Sequence, residues 1–143
     1  MAAAPHAVWA VVSDVTRIGE LSPETFEAEW LDGAIGPSVG ATFRGHVRRS
    51  GSGVRYWTTC RVTDCEPGRS FGFDVQGPGG RVLNSWAYEI EPDGAGSSVT
   101  ESFRLHDGAL QRFYWRLAGA RRAAVNVRGM TQTLNRVKAI VEA

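Results

Sequence analysis

Gly36-Pro37-Ser38-Val39-Gly40 fits the G-x-S-x-G spacing that presents a nucleophilic serine in hydrolases, and Glu101 and His106 follow in the order such a triad takes. That chemistry needs a strand before the serine and a helix after it, so that the hydroxyl stands on a sharp turn. The residues after Ser38, Ala41-Thr42-Phe43-Arg44-Gly45-His46-Val47, alternate like a strand. A plain turn is the simpler reading, and no catalytic residue is assigned.

Glu101 is a stronger candidate. It shares strand parity with Val99 and Phe103, so it faces inward if they do. A buried carboxylate must be hydrogen-bonded, paired or protonated. Burial raises its pKa and suits it to acid/base work or to holding the polar end of a ligand. The bland alternative is a salt bridge to an arginine of the last helical segment, such as Arg121 or Arg128. The other polar motifs carry less. His6, His46 and His106 are scattered, without H-x-x-x-H or Cys-His spacing, so no metal and no other cofactor is expected. Gly77-Pro78-Gly79-Gly80 reads as a hairpin turn and not as a phosphate loop. Cys60 and Cys65 are the only cysteines, too few for a disulfide framework, which fits a reducing, cytoplasmic setting.

The elements that would position Glu101 follow from periodicity. Pro5 suits a first helical turn, and Val8, Trp9, Val12 and Val15 follow at helical spacing. Gly19 and Pro23 limit any continuation to a second short helix. From Phe26 the pattern changes to strands, expected at 26–32, 40–49, 54–65, 70–76, 81–91 and 97–106. Their connectors are rich in Gly and Pro, as in SGSG, EPG, GPGG and PDGAG. Turns at such regular intervals indicate an antiparallel meander. In 81–91, Val82, Asn84, Trp86, Tyr88 and Ile90 share one side; Tyr56 and Trp57, being successive, face opposite sides. Residues 109–142 return to helical period. Their apolar stripe reads Phe113, Leu117, Ala120, Ala124, Val127, Met130, Leu134, Val137 and Val141, with Gly119 and Gly129 expected to kink or break the helix. The successive Phe113, Tyr114 and Trp115 cannot all lie on one helix face.

Length and composition bound the function. The 143 residues, 43% hydrophobic and 22% charged, suit a single domain over 1–143. The net charge of +1 provides no global field for nucleic acid, and no apolar run is long enough for membrane insertion. Charge is uneven: residues 14–32 hold six acids and one base, and residues 110–143 hold seven bases and one acid. Two oppositely charged solvated faces are the plain reading. The expected order is therefore short helices, a long meander and one long helix that the sheet must wrap, an α+β arrangement.

In this order, PHAVWAVVSDVTRIGELSP, WLDGAIGPSVGATFRG, CRVTDCEPGRSFGFDV, SWAYEIEPDGAGSSVTESF and the terminal MTQTLNRVKAIVEA resemble the START-like superfamily, also called SRPBCC or helix-grip, in its polyketide cyclase/dehydrase-like branch. The resemblance spans nearly the whole chain. It implies a curved antiparallel sheet of six to seven strands gripping the C-terminal helix, with a hydrophobic cavity capped in part by the two short helices. Members normally carry a full strand before the equivalent of Pro5. Here only Met1–Ala4 precede it, which points either to a start upstream or to a sheet edge that a second copy of the chain, in a homodimer, would complete.

With a cavity implied, the candidate ligand-binding residues are Phe71, Phe73, Trp86, Tyr88, Glu101, Phe103, Phe113, Leu117, Met130 and Leu134, against a default of simple core packing for the aromatics. Glu101 and Tyr88 would orient one polar end of the ligand. The leading expectation is binding or transport of a hydrophobic small molecule, lipid- or polyketide-like. A polyketide aromatase/cyclase-type enzyme is the alternative, and a non-catalytic protein-interaction module the second.

Overall fold

The computed structural model describes residues 1–106 and 108–143. The N-terminal helix α1 spans Pro5–Val12 and buries Val8, Val11 and Val12. Asp14 caps the next turn, its carboxylate accepting from the Thr16 amide at 3.1 Å. The single turn Val15–Arg17 then runs directly into α2, Ile18–Leu21. Six strands follow: β1 Thr25–Trp30, β2 Thr42–Arg48, β3 Arg55–Glu66, β4 Ser70–Gln76, β5 Val82–Asp93 and β6 Gly96–Leu105. They form one antiparallel sheet in the order β1-β2-β3-β4-β5-β6, so every strand pairs with its neighbour in sequence. The helix α3, Ala109–Val141, closes the chain. This is the α+β helix-grip arrangement, with six strands.

The sheet has a filled end and an open end. Toward the filled end, Val8, Val11, Val12 and Val15 pack with Val62, Phe71, Ile90 and Val137 into the core. Trp9 is anchored there by its indole N–H, which donates to the Ser70 carbonyl at 2.8 Å. The backbone of Met1–Ala3 runs beside the start of β6. The Ser97 amide donates to the Met1 carbonyl at 2.9 Å, and the Ser97 hydroxyl donates to the Ala3 carbonyl at 2.6 Å. This short pairing stands where the resemblance implies a full strand.

Two expectations for α3 need correction. The helix is a single element of 33 residues and does not break at its glycines. Gly119 is buried under Trp115: a Cβ there would lie 2.6 Å from the ring, so the glycine is the space that ring occupies. The apolar stripe also marks the wrong face over the first half of the helix. Phe113, Leu117 and Val127 are 61%, 71% and 60% exposed, whereas Arg122, Asn126 and Thr133 turn toward the sheet. The inward face is partly polar because it borders open space and not a packed layer. Only from Met130 to Val141 does hydrophobicity follow burial, and Val137 is fully buried.

The acidic and basic segments also meet. Arg122 donates to both Glu24 carboxylate oxygens, at 2.9 and 2.8 Å, and Arg136 donates to the Leu21 and Ser22 carbonyls. Burial opposes the charge of Glu24, but hydrogen bonds from Arg122 and the Ser50 amide outweigh it and hold this carboxyl below its usual range. The α2–β1 junction is thus fastened to the middle of α3. No helix among the described residues is long and apolar enough to cross a membrane.

The break between α2 and β1 depends on Gly19. A Cβ at this position would lie 2.2 Å from the Phe26 carbonyl oxygen, a backbone atom that cannot swing aside. Helix propensity alone favours Gly19→Ala by about 1 kcal/mol. The close approach predicts the opposite sign, a loss of roughly 2 kcal/mol. The midpoint of urea unfolding distinguishes the two.

Candidate functional site

The register across the sheet builds the site in rows. Phe73, Trp86 and Phe103 form one row; Phe71, Tyr88 and Glu101 form the next. One step further along the same two strands, Ile90 pairs with Val99 against the core. One step in the other direction lie Asn84 and Leu105. The Tyr88–Glu101 row is therefore the floor of a space that opens toward Asn84. Between this concave face and α3 lies a cavity of about 1020 Å³. Phe73, Trp86, Tyr88 and Phe103 face inward yet remain only partly buried, because no protein layer covers them.

The walls are mostly apolar. Phe43, Val47, Val75 and Leu83 line the sheet side, Leu21 and Ile18 belong to the short-helix side, and Trp115, Val125 and Met130 to α3. Edge and face contacts fix the aromatic wall: Trp86 and Phe103 centroids are 4.8 Å apart, and Phe43 and Phe73 are 5.1 Å apart at 74°. Tyr56 lines the cavity and Trp57 faces outward, where His46 stacks on it at 4.2 Å.

The floor carries the distinctive chemistry. The Tyr88 hydroxyl donates to Glu101 Oε1 at 3.0 Å. Glu101 Oε2 is buried without a partner, and so is Asn84 Oδ1 nearer the opening. Desolvation pushes the Glu101 carboxyl up to about 7, against a smaller opposing effect of the Tyr88 hydrogen bond. Burial, then the neighbouring Glu101 charge, drives the Tyr88 phenol above its ordinary value. Near neutrality this pair holds a proton at Glu101 that it can give or take, with one carboxyl oxygen left for a further partner.

Of the residues singled out from sequence, the structure brings Phe73, Trp86, Tyr88, Glu101, Phe103 and Met130 together around the cavity. It places four elsewhere. Phe71 shares the floor row with Tyr88 and Glu101 but is 1% exposed, covered by the packed core and not by the cavity. Phe113 and Leu117 lie on the outer face of α3 for the reason given above, and Leu134 is partly buried outside the cavity lining. The expected ion pair of Glu101 with Arg121 or Arg128 is replaced by the Tyr88 hydrogen bond; both arginines are exposed. Sequence reasoning missed Arg49, Tyr56, Tyr114, Arg122 and Asn126 as lining residues. Strand parity gave a signal only for Asn84, which shares a side with Trp86 and Tyr88.

The serine motif and the scattered histidines are not brought together into a triad among the described residues. Ser38 is exposed in the β1–β2 loop, with no helix after it and no contact to His106. His106 instead meets the Ser85 hydroxyl at 2.6 Å, and that hydroxyl donates to Asp74. A serine that gives its proton to a carboxylate is not activated by the histidine. Among the described residues no group of His, Cys, Asp or Glu could hold a metal ion, and both cysteines are free thiols.

Residues 1–142 match the profile of the family described as polyketide cyclase/dehydrase and lipid transport. The chain belongs to this family. The solution structure of a Polyketide_cyc-like protein from Corynebacterium glutamicum is 32% identical in sequence, with a TM-score of 0.65, over 99% of this chain and 86% of that one. A protein from Chromobacterium violaceum, 16% identical, has a TM-score of 0.65 over 100% of this chain and 93% of its own. One from Rhodobacter sphaeroides, 13% identical, has a TM-score of 0.67 over 99% and 86%. The last two share the fold alone. Among curated proteins, none matches the sequence.

The raised Glu101 carboxyl sets a pH dependence of stability. Its pKa is about 7 in the folded chain against 4.5 as an ordinary carboxyl, so the folded state binds more protons between those values. Its contribution is fully present below pH 4.5 and is lost as pH rises through 7. The loss is at most about 3 kcal/mol at 1.36 kcal/mol per unit. Urea midpoints should fall over this window in the wild type, and Glu101→Gln should flatten that part of the profile.

Proposed function

We propose that the protein binds, and by exchange transports, a hydrophobic small molecule in the cavity between the sheet and α3. The observation that carries this reading is the pairing of a large apolar space with a half-satisfied carboxyl at its floor. An interior of about 1020 Å³ is at the upper end of ordinary ligand pockets. A ligand that loses roughly 300 Å² of apolar surface there gains on the order of 7 kcal/mol, part of it offset by lost translational freedom. Glu101 Oε2 and the Tyr88 hydroxyl then orient one polar end, most readily a hydroxyl or other hydrogen-bond donor.

The same pair supports a second reading as an aromatase/cyclase-type enzyme. A carboxyl near pKa 7, hydrogen-bonded to a phenol and facing an apolar cavity, can shuttle a proton to or from an enolising substrate. The family description covers both readings. Carriage is preferred because a single acid/phenol pair supplies an anchor without a second, independent base.

Calorimetric titration with 2-naphthol, an apolar probe bearing one hydroxyl, tests the anchor. Glu101→Gln should weaken binding by about 1 kcal/mol, whereas Ser38→Ala should leave it unchanged. Equal affinities for these two variants count against Glu101 as the polar anchor. Val125→Trp, which places bulk in the cavity wall, should abolish binding without loss of folding; undiminished binding would move the ligand out of this cavity.

A further inference from the structure

We infer that the mouth of the cavity carries an anion subsite built from Arg49, Arg121 and Arg122, and that the ligand is an amphiphile with a carboxylate or phosphate at the end opposite Glu101. This rests on the carrier reading and specifies its ligand class.

A second depression of about 340 Å³ adjoins the cavity and shares Arg49, Ser50, Tyr114, Arg122 and Val125 with it. One face of α3 supplies one side: Tyr114, Arg121, Arg122 and Val125 recur at helical spacing. The β2–β3 turn supplies the other through Arg49 and the residues after it. Three guanidinium groups therefore border the depression. Arg122 is neutralised by Glu24. Arg49 and Arg121 have no carboxylate partner among the described residues, which leaves an excess of two positive charges.

Arg49 is held in place without being neutralised. It donates to the Tyr114 hydroxyl at 2.6 Å and to the Tyr56 hydroxyl at 3.3 Å, with its guanidinium 5.7 Å from the Tyr114 ring centre. Phenols fix the direction of the fork and keep the charge available for a carboxylate or phosphate. A solvated surface arginine has no such pair of fixed partners.

The floor sets the orientation. An anionic group beside Glu101 would face a carboxyl that burial already disfavours as an anion. A neutral group that can both donate and accept a hydrogen bond suits that end. The apolar wall of Trp86 and Phe103 takes the middle of the ligand, and the anion stays at the arginines.

Fluorescence titration with 11-(dansylamino)undecanoic acid and with its methyl ester tests the subsite. The sulfonamide N–H offers a donor to Glu101, and only the acid offers a charge to the arginines. The wild type should bind the acid about tenfold more tightly than the ester at low salt, a difference of roughly 1.4 kcal/mol. The preference should shrink in about 0.5 M NaCl. Arg49→Gln with Arg121→Gln should abolish the preference by weakening the acid more than the ester. Arg121→Gln alone, at an exposed position, should reduce it and covers the case in which the double variant folds poorly. Equal affinity of the wild type for both probes, or a preference that survives in the variants, overturns the subsite while the carrier reading stands. Failure of both probes to bind overturns both. If the variants lose binding to phosphatidylserine vesicles but keep the preference for the acid, the arginines serve a membrane surface and the subsite is overturned.

Discussion

One helix cannot fill the concave face of a six-stranded twisted sheet, and the rest of the molecule follows from that mismatch. Strands twist and coil because of backbone sterics. A meander of six therefore curves around α3 with more inward surface than one helix can cover. Helix α1 and the turn after it fill one end with Val8, Val12 and Val15. The other end stays open, so residues with inward parity line a space instead of a core. Trp86, Phe103 and Met130 are apolar for the same reason core residues are, yet they remain accessible.

The same open interior explains the polar groups. In a packed core, Glu101 and Asn84 would each leave an unsatisfied oxygen at considerable cost. Here both oxygens belong to residues that line the cavity. Burial of Glu101 on the remaining sides raises its pKa and couples it to Tyr88. The Glu24–Arg122 pair fastens the α2–β1 junction to α3 at the opening, beside the Arg49–Tyr114 hydrogen bond. Its neighbours Arg49 and Arg121 then give the mouth a charge opposite in character to the floor.

The strands and α3 were legible because their signals are local. Alternation in β4, β5 and β6, and the Gly- and Pro-rich turns between them, fall within a residue or two of the observed bounds. Glu101, Tyr88, Trp86 and Phe103 were legible for the same reason: parity within one strand sets a common face. The helix was harder. Phe113 and Leu117 are apolar and correctly spaced, but burial on α3 is decided by where the sheet stands, and the open end lets Arg122, Asn126 and Thr133 occupy the inward face. Phe71 lies in the same row as Tyr88 and Glu101 yet is covered by the core, and no periodicity along β4 distinguishes an inward residue under the core from one under the cavity.

The sequence by itself determined the order of elements, the meander, the family and the inward face of each strand, because all of these follow from neighbours along the chain. Only the tertiary structure decided which inward residues meet a cavity and which meet a core, that Glu101 pairs with Tyr88 and not with an arginine, and that Arg49 from one hairpin converges with Arg121 and Arg122 from a helix seventy-odd positions away. Those facts depend on how far the sheet bends around α3. That distance is set by the sum of many weak packing contacts between remote segments, which no local spacing encodes.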